Sequence, residues 1–385
     1  MSDDRYQAVV VGAGLVGAAT ALALGRKGLR VALVERTPPV QPDANWDARI
    51  YAISPASQRF LQAIGAWQAL DPSRVQPVYR MDVAGDTRGA LRLDAYASGT
   101  SHLAHILESG RLQHALWHTL AASGSVDVIA PATIHTLERD GDDTRLALAD
   151  GRTLTTQLVI GADGAHSRIR DWAGLTATTT PYDQHGVVAN FECERAHRGT
   201  AYQWFFAGEV LAWLPLPGTR VSMVWSMASS RAAELLALDA DALSQTVQTA
   251  GHDALGRLRV LAAPKAFPLQ LLRAHSTVTA GVVLVGDAAH GVHPLAGQGV
   301  NLGLADAEAL ADALGAQRRI SCGDLRVLQR YARSRAEPVA RMQGLTHGLH
   351  HLFAASHANW LRNAGLSVVD HLPPVKSALV RAAMS

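Results

Sequence analysis

A chain of 385 residues with 48% hydrophobic and 18% charged residues is long enough to bury more than one core. Its formal charge of +2, with no basic run, argues against nucleic acid as a partner, because neutralising phosphates takes clustered Lys and Arg. The two cysteines, Cys193 and Cys322, form no C-x-x-C pair, so neither a disulfide framework nor a thiol redox site is indicated, as befits a reducing cytoplasm.

Residues 1–5 lack the basic segment and cleavage site of a signal peptide, and no apolar run approaches the ~20 residues that span a bilayer. The expectation is a cytoplasmic protein whose membrane contact, if any, is peripheral. Residues 8–11 are a short apolar β-branched run, 15–28 read as an Ala/Leu-rich helix, and 31–34 as a second apolar strand, which together make a βαβ unit. Continuous apolar strands imply burial on both faces, hence a parallel sheet covered by helices. Within this unit lies Gly12-Ala13-Gly14-Leu15-Val16-Gly17. Gly12 permits the tight turn, Gly14 lets backbone approach a pyrophosphate at the positive helix end, and Gly17 lets helix and strand pack closely. Glu35 ends the next strand about 20 residues on, where a carboxylate accepts hydrogen bonds from an adenosine ribose, with Arg36 beside it. An acid there disfavours a 2′-phosphate.

Pro38-Pro39 and Pro42 break regular structure. Residues 54–70 then read as a helix with Ser54 as N-cap and Pro55 at its first position, and 111–122 as another. Residues 146–148 and 158–160 flank the Asp150-Gly151 turn, a hairpin signal, and the second of them runs into Gly161-Ala162-Asp163-Gly164-Ala165. From 186 to 227 the texture is β-rich, with strand-like segments at 187–191, 202–206, 210–214 and 221–227. The apolar run 282–285 leads to Gly286-Asp287-Ala288-Ala289-His290, and a helix is expected over 299–314. The expected division is a discontinuous cofactor-binding domain (1–75, 100–175 and 275–335), a β-rich substrate domain (76–99 and 176–274) and a C-terminal helical region (336–385).

Asp287 would emerge at a strand's carboxyl end, where open α/β sheets bind ligands, and there it could hold a polyol chain. Pro294 rigidifies the next loop, and Gly297 and Gly299 open the helix near Val300 without side-chain obstruction. That helix start aims N–H groups and a positive dipole end at whatever the loop holds. A reduced flavin carries negative charge near N1 and its C2 carbonyl, which this end would stabilise. A nicotinamide gives no comparable reason for the feature, so the three motifs together point to FAD.

On Gly161 to Ser167 and on the run from Gly286 through Gly299-Val300-Asn301 to Asp306, the whole chain resembles the group A flavin aromatic hydroxylases, the para-hydroxybenzoate hydroxylase class, and most resembles the ubiquinone-biosynthesis hydroxylases among them. The resemblance extends to 49–54, 214–216, Val224-Trp225 and 359–366. It implies an α/β fold: a Rossmann-like FAD-binding domain, an inserted β-sheet substrate domain and a C-terminal helical region. It also implies that Asp287 holds the ribityl chain and that Pro294, Gly297 and Gly299 lie beside the isoalloxazine, with Asn301 near its pyrimidine edge. Arg49 and Asp163 would line the FAD and nicotinamide approach, and Arg111 resembles the class's flavin-contacting Arg. Catalysis is expected nearest Arg49, Pro294 and Gly297. The implied reaction uses NAD(P)H and O2 to form a C4a-hydroperoxyflavin that hydroxylates an aromatic ring, here a prenylated phenol of ubiquinone biosynthesis. The alternatives are a hydroxylase of a soluble aromatic secondary metabolite, a double-bond reductase, and a non-catalytic flavoprotein scaffold. Gly291 stands where the subfamily usually has Thr, and Trp204 and Glu209 stand where it has Arg and Pro.

No second G-x-G-x-x-G occurs, so NAD(P)H is expected to bind transiently. His347, His350 and His351 could share a helix face, but with no acidic ligand beside them an ordinary helix is favoured over a metal site. Trp204, Phe205, Phe206, Trp213 and Trp225 could wall an apolar substrate pocket, although strand alternation makes some of them core. Leu349, Leu352, Phe353, Trp360 and Leu361 fit a lipid-dissolved substrate, a peripheral contact with the membrane or with biosynthetic enzymes, or the interface of a homo-oligomer.

Overall fold

Strand Asp4–Val11 contains the first apolar run and pairs in parallel with Val31–Val34 on one side and Thr153–Gly161 on the other. The computed structural model describes residues 4–85, 89–206, 208–292, 298–315 and 320–354. Val126–Ile129 and Val282–Leu284 extend this sheet at its two ends, again in parallel. Side chains alternate over residues 8–10: Ala8 and Val10 pack with the helices Leu15–Arg26, Ser109–Ser123 and Gly299–Gly315, while Val9 packs with Ile134, Leu146 and Leu154 on the other side, joined there by Tyr6 across an irregularity at Gln7-Ala8, whose N–H groups share the Arg30 carbonyl. Both faces are therefore dry, as continuous apolar strands require.

The hairpin expected at Asp150-Gly151 joins Asp143–Leu148 to Thr153–Gly161, with Gly151 at φ 88°. A third antiparallel strand, Ile134–Asp140, adds to it. The helix expected over 54–70 is shorter. Ser54 caps it by accepting the Ser57 N–H, but the helix Pro55–Ala63 stops before Gly65, whose φ of 87° turns the chain into a short 3-10 turn, Trp67–Ala69.

The second large sheet runs in the order His290–Gly291, Lys265–Ala274, Ala177–Cys193, Arg220–Ala228, Glu209–Leu216, Thr200–Phe206, Arg80–Ala84, Ala90–Asp94. Helices Ser229–Leu236 and Ala240–Ala250 cover one face of it. Strand parity puts Trp204, Trp213, Trp225 and Phe206 on that covered face, where they form core with Val187, Met223 and Leu243. Phe205 points to the opposite face, against Val83, Leu91 and Val210. Of the aromatic wall considered from sequence, Trp204 and Trp213 are interior packing, whereas Phe206 and Trp225 also line a pocket with Glu209, Ala242 and Thr246. A small sheet of Ile50–Ile53, Ala104–Glu108 and Gln76–Val78 bridges the two large ones, packing Ile50, Val78 and Ile106 on Ala201 and Leu216.

The helix Leu325–Ala354 closes the fold. The side chains of His347, His350, His351, Leu349, Leu352 and Phe353, and residues 355–385 with Trp360 and Leu361, lie outside the described residues.

Candidate functional site

The three glycine motifs meet at the carboxyl ends of the parallel strands. Gly12 has φ 95°, and a Cβ there would stand 2.5 Å from the Ala162 carbonyl oxygen. A Cβ on Gly17 would stand 1.9 Å from the Gly12 oxygen and 3.0 Å from the Ala162 Cβ. Val16 fills the space beside the late motif: Cβ atoms on Gly286 and Gly303 would come within 3.2 and 2.4 Å of its methyls. These glycines are required by close packing. Gly14 is not, because a Cβ there meets nothing within 4 Å and its φ is −66°. The room it leaves lies over the start of helix Leu15–Arg26, the place where backbone N–H groups receive a pyrophosphate.

Glu35 leans into this loop. Its Oε2 accepts the Ala13 N–H at 2.6 Å and its Oε1 the Thr37 N–H at 2.9 Å, with Arg36 exposed beside it. Both oxygens keep a lone pair for a ribose hydroxyl. Trp117 donates its indole N–H to the Ala13 carbonyl at 3.0 Å, bracing the loop from helix Ser109–Ser123. No sequence pattern marks that indole.

Asp163 accepts the Ser167 hydroxyl at 2.5 Å and the Ile169 N–H at 3.1 Å, so it organises the turn after the middle motif. Arg170, also unmarked in sequence, donates to the carbonyls of Ala165 (3.0 Å) and Ala288 (3.1 Å) and ties the middle motif to the late one.

Asp287 is exposed, yet the protein crowds it into a recess. Burial raises its carboxyl pKa, opposed by the charges of His290 and Arg49. Because solvent reaches the carboxylate, screening trims that rise. Burial likewise raises the phenol of Tyr51, opposed by the charge of Arg49. Arg49, Tyr51 and Asp287 therefore share one recess.

Asn301 is buried. Its Oδ1 accepts the Ser54 N–H at 3.0 Å, and its Nδ2 donates to the Ala52 carbonyl at 2.9 Å and to Gln298 Oε1 at 3.1 Å. Its amide thus fastens the start of helix Gly299–Gly315 to the strand after Arg49, and what it offers a ligand is backbone N–H. Val300 is buried core, and a Cβ on Gly299 would meet nothing nearer than Val292 at 3.8 Å. Pro294 and Gly297 lie outside the described residues.

Arg111 donates to Glu108 Oε2 at 2.9 Å and to the Asp43 carbonyl at 2.8 Å. Glu108 is buried, is gripped by Arg74 through two 2.8 Å bonds, and accepts the Asp47 N–H. The arginine is therefore engaged in holding the chain that leads into Arg49.

Across from this recess, Val188, Val224 and Ala212 lie side by side on adjacent strands, half-buried, on the face of the large sheet opposite its covering helices. Phe267 lies on the same face, under the Arg49 guanidinium at 4.8 Å. Behind Asp287, buried Asp306 accepts from His290 (2.6 Å) and Arg335 (2.7 Å). Attraction to Asp306 outweighs desolvation and raises the His290 pKa, while His290 and Arg335 hold the carboxyl of Asp306 below its ordinary value. Among the described residues no cluster of three or more His, Cys, Asp or Glu could hold a metal.

Residues 5–344 match the family model described as FAD binding domain. The chain is 34% identical to the ubiquinone hydroxylase UbiL of Rhodospirillum rubrum, over 100% of this chain and 90% of that protein. It is 33% identical to the 3-demethoxyubiquinol 3-hydroxylase of Escherichia coli, over 100% of both. Among solved structures, Pseudomonas aeruginosa PqsL in complex with 2-aminobenzoylacetate superposes with a TM-score of 0.81 at 26% identity, covering 94% of this chain and 99% of that one.

Proposed function

This chain belongs to the FAD binding domain family, and we propose that it is an FAD-dependent monooxygenase that hydroxylates the ring of a polyprenyl phenol in ubiquinone biosynthesis, using NAD(P)H and O2. The observation that carries the reading is the recess itself. An open carboxylate, Asp287, stands where three glycine motifs converge, and an apolar sheet face lies opposite. Bound FAD supplies the redox chemistry, taking electrons from the nicotinamide and activating O2.

The chain's own residues bind, orient and keep the site dry. In this reading the start of helix Leu15–Arg26 at Gly14 receives the pyrophosphate, and Glu35, flanked by Arg36, accepts from the ribose. Asp287 accepts from the ribityl hydroxyls, and the N–H groups at Gly299, Val300 and Asn301 face the ring with Pro294 and Gly297. Arg49 and Asp163 line the nicotinamide approach, and Arg111 supports the same side through Glu108. Val188, Ala212, Val224 and Phe267 would receive the aromatic substrate and exclude water from the reacting centre.

The cofactor-binding unit then comprises 1–75, 100–175 and 275–335, and the substrate unit 76–99 and 176–274. Sheet membership supports this division except at two places: His290–Gly291 pairs into the substrate sheet, and Gln76–Val78 pairs with Ala104–Glu108 of the cofactor unit. We place the protein in the cytoplasm, peripheral to the membrane that dissolves its substrate. Among the described residues no helix is long and apolar enough to cross a membrane. The names of the relatives, a ubiquinone hydroxylase and a demethoxyubiquinol hydroxylase, favour the prenylated substrate. The likeness to PqsL with 2-aminobenzoylacetate favours a second reading, hydroxylation of a soluble aromatic.

The test is NAD(P)H oxidation by the flavin-loaded enzyme with prenylated phenols and soluble anilines or benzoates, under 18O2. Stimulation by a prenylated phenol with 18O in the product is expected. A protein that cannot be loaded with FAD sinks the reading, and label found only with a soluble aromatic moves it to the second.

A further inference from the structure

Asp306 lies two turns into helix Gly299–Gly315 and is wholly buried, so it touches no ligand in the recess. Its carboxylate receives three donors from two segments: the Gly286 N–H at 2.9 Å, His290 Nε2 at 2.6 Å and Arg335 Nε at 2.7 Å. Arg335 comes from the helix Leu325–Ala354 and adds a bond from Nη2 to the Leu302 carbonyl at 3.2 Å. Gly286 and His290 flank Asp287 in the chain. One carboxylate thus grips both ends of the short segment that carries Asp287, and the arginine fixes that carboxylate to the first turn of the helix. A buried carboxylate persists only when its oxygens are satisfied, and these donors leave it little freedom to shift. A Cβ on Gly303 would stand 3.4 Å from the Gly286 Cα and 2.4 Å from a Val16 methyl, so the missing side chain lets the two segments pack closely.

We infer that Asp306 and Arg335 are positioning residues that set Asp287 relative to the start of helix Gly299–Gly315, so that FAD retention depends on the helix Leu325–Ala354. The inference rests on Asp287 being the ribityl-binding residue. Without Arg335 the Asp306 carboxylate follows His290 alone, the Gly286 N–H follows the carboxylate, and Asp287 moves with it.

The experiment is a double-mutant cycle on FAD affinity, measured by titrating the apoprotein and following quenching of flavin fluorescence. Asp287→Ala and Arg335→Met should each weaken binding about tenfold, the scale of a charge-assisted hydrogen bond. The double variant should fall within about twofold of Asp287→Ala alone, because residues acting through one another are not additive. The loaded Arg335→Met protein should also shift its flavin absorption band toward that of Asp287→Ala. A merely structural role would lower the melting temperature and multiply the two losses. Multiplied losses, or native affinity in Arg335→Met, overturn the inference. Unchanged affinity in Asp287→Ala alone refutes the ribityl placement, and this inference with it. Should Arg335→Met fail to fold, Arg335→Lys keeps the charge but loses the fork to Leu302. It should show a smaller loss that vanishes in the Asp287→Ala background, and a loss that persists there overturns the inference.

Discussion

The guanidinium of Arg49 lies 4.8 Å over the ring of Phe267, so a cation from the chain beside the glycine motifs is stacked on the face of the large sheet. Such a pair is worth about 0.5–1 kcal/mol at an exposed site. Phe267→Leu should therefore loosen Arg49 and slow flavin reduction by NAD(P)H about two- to fivefold, with FAD content unchanged. Stopped-flow reduction measures it, and a native rate would mean that the stacking does not place Arg49.

Gly14 and Gly17 separate folding from binding. Gly14→Ala adds a methyl where nothing lies within 4 Å, so the apoprotein should lose no more than the ~1 kcal/mol expected at an N-cap, while FAD affinity falls by an order of magnitude or more. Gly17→Ala drives a methyl into the Gly12 carbonyl and should destabilise the apoprotein itself. Melting curves and FAD titrations of the two variants check the contrast. Native FAD affinity in folded Gly14→Ala would remove the pyrophosphate from this loop.

Gly291 is explained by packing. A Cβ there would stand 3.2 Å from the Leu272 Cβ and 3.3 Å from its backbone nitrogen, and the Gly291 carbonyl accepts from Gln343 at 3.1 Å. Gly291→Thr should therefore lift the strand His290–Gly291 off its neighbour and cost about 1–3 kcal/mol, the usual penalty of overpacking. An unchanged or raised melting temperature would show that Leu272 gives way freely.

His105 gives stability a pH dependence with a definite sign. Burial, and then the neighbouring charge of His102, lower its pKa from 6.5 to about 4, and its Nδ1 has no hydrogen-bond partner among the described residues. The unfolded chain therefore binds the proton that the fold refuses, and stability falls as pH drops from about 6.5 through about 4. His105→Phe should flatten that acid limb, measured by chemical denaturation at a series of pH values. An identical slope in the variant would assign the limb to other groups.

Much of this architecture is legible in the amino-acid sequence, because parallel strands and glycine turns leave local marks. The runs at 8–11, 31–34 and 282–285, the Asp150-Gly151 hairpin and the helix at 299–314 all depend on neighbours within a few residues. What sequence leaves open depends on partners far along the chain. Strand parity alone decides whether Trp213 and Trp225 face a cleft or the covering helices, and no local pattern sets that parity against a sheet of unknown order. Arg111 resembles a flavin-contacting Arg in sequence, and only the fold shows Glu108 and the Asp43 carbonyl holding it. His290 and Arg335 lie 16 and 29 positions from Asp306, and only folding makes the three one charge cluster. The sheet face of Val188, Ala212 and Val224, proposed to receive the substrate, is equally silent, since small apolar residues in strands look like any core.

Strand Ala177–Cys193 pairs with Lys265–Ala274 from Ala177 opposite Ala274 to Val188 opposite Lys265, and the short strand behind Asp287 is stitched onto the same ladder through Leu272 and Arg273. Parting the proposed cofactor and substrate units would tear the two-residue ladder that joins His290–Gly291 to Lys265–Ala274. For the proposed reaction, substrate and nicotinamide would then enter and leave at the rim, past side chains such as Arg49, with turnover paced by gatekeepers at the edge.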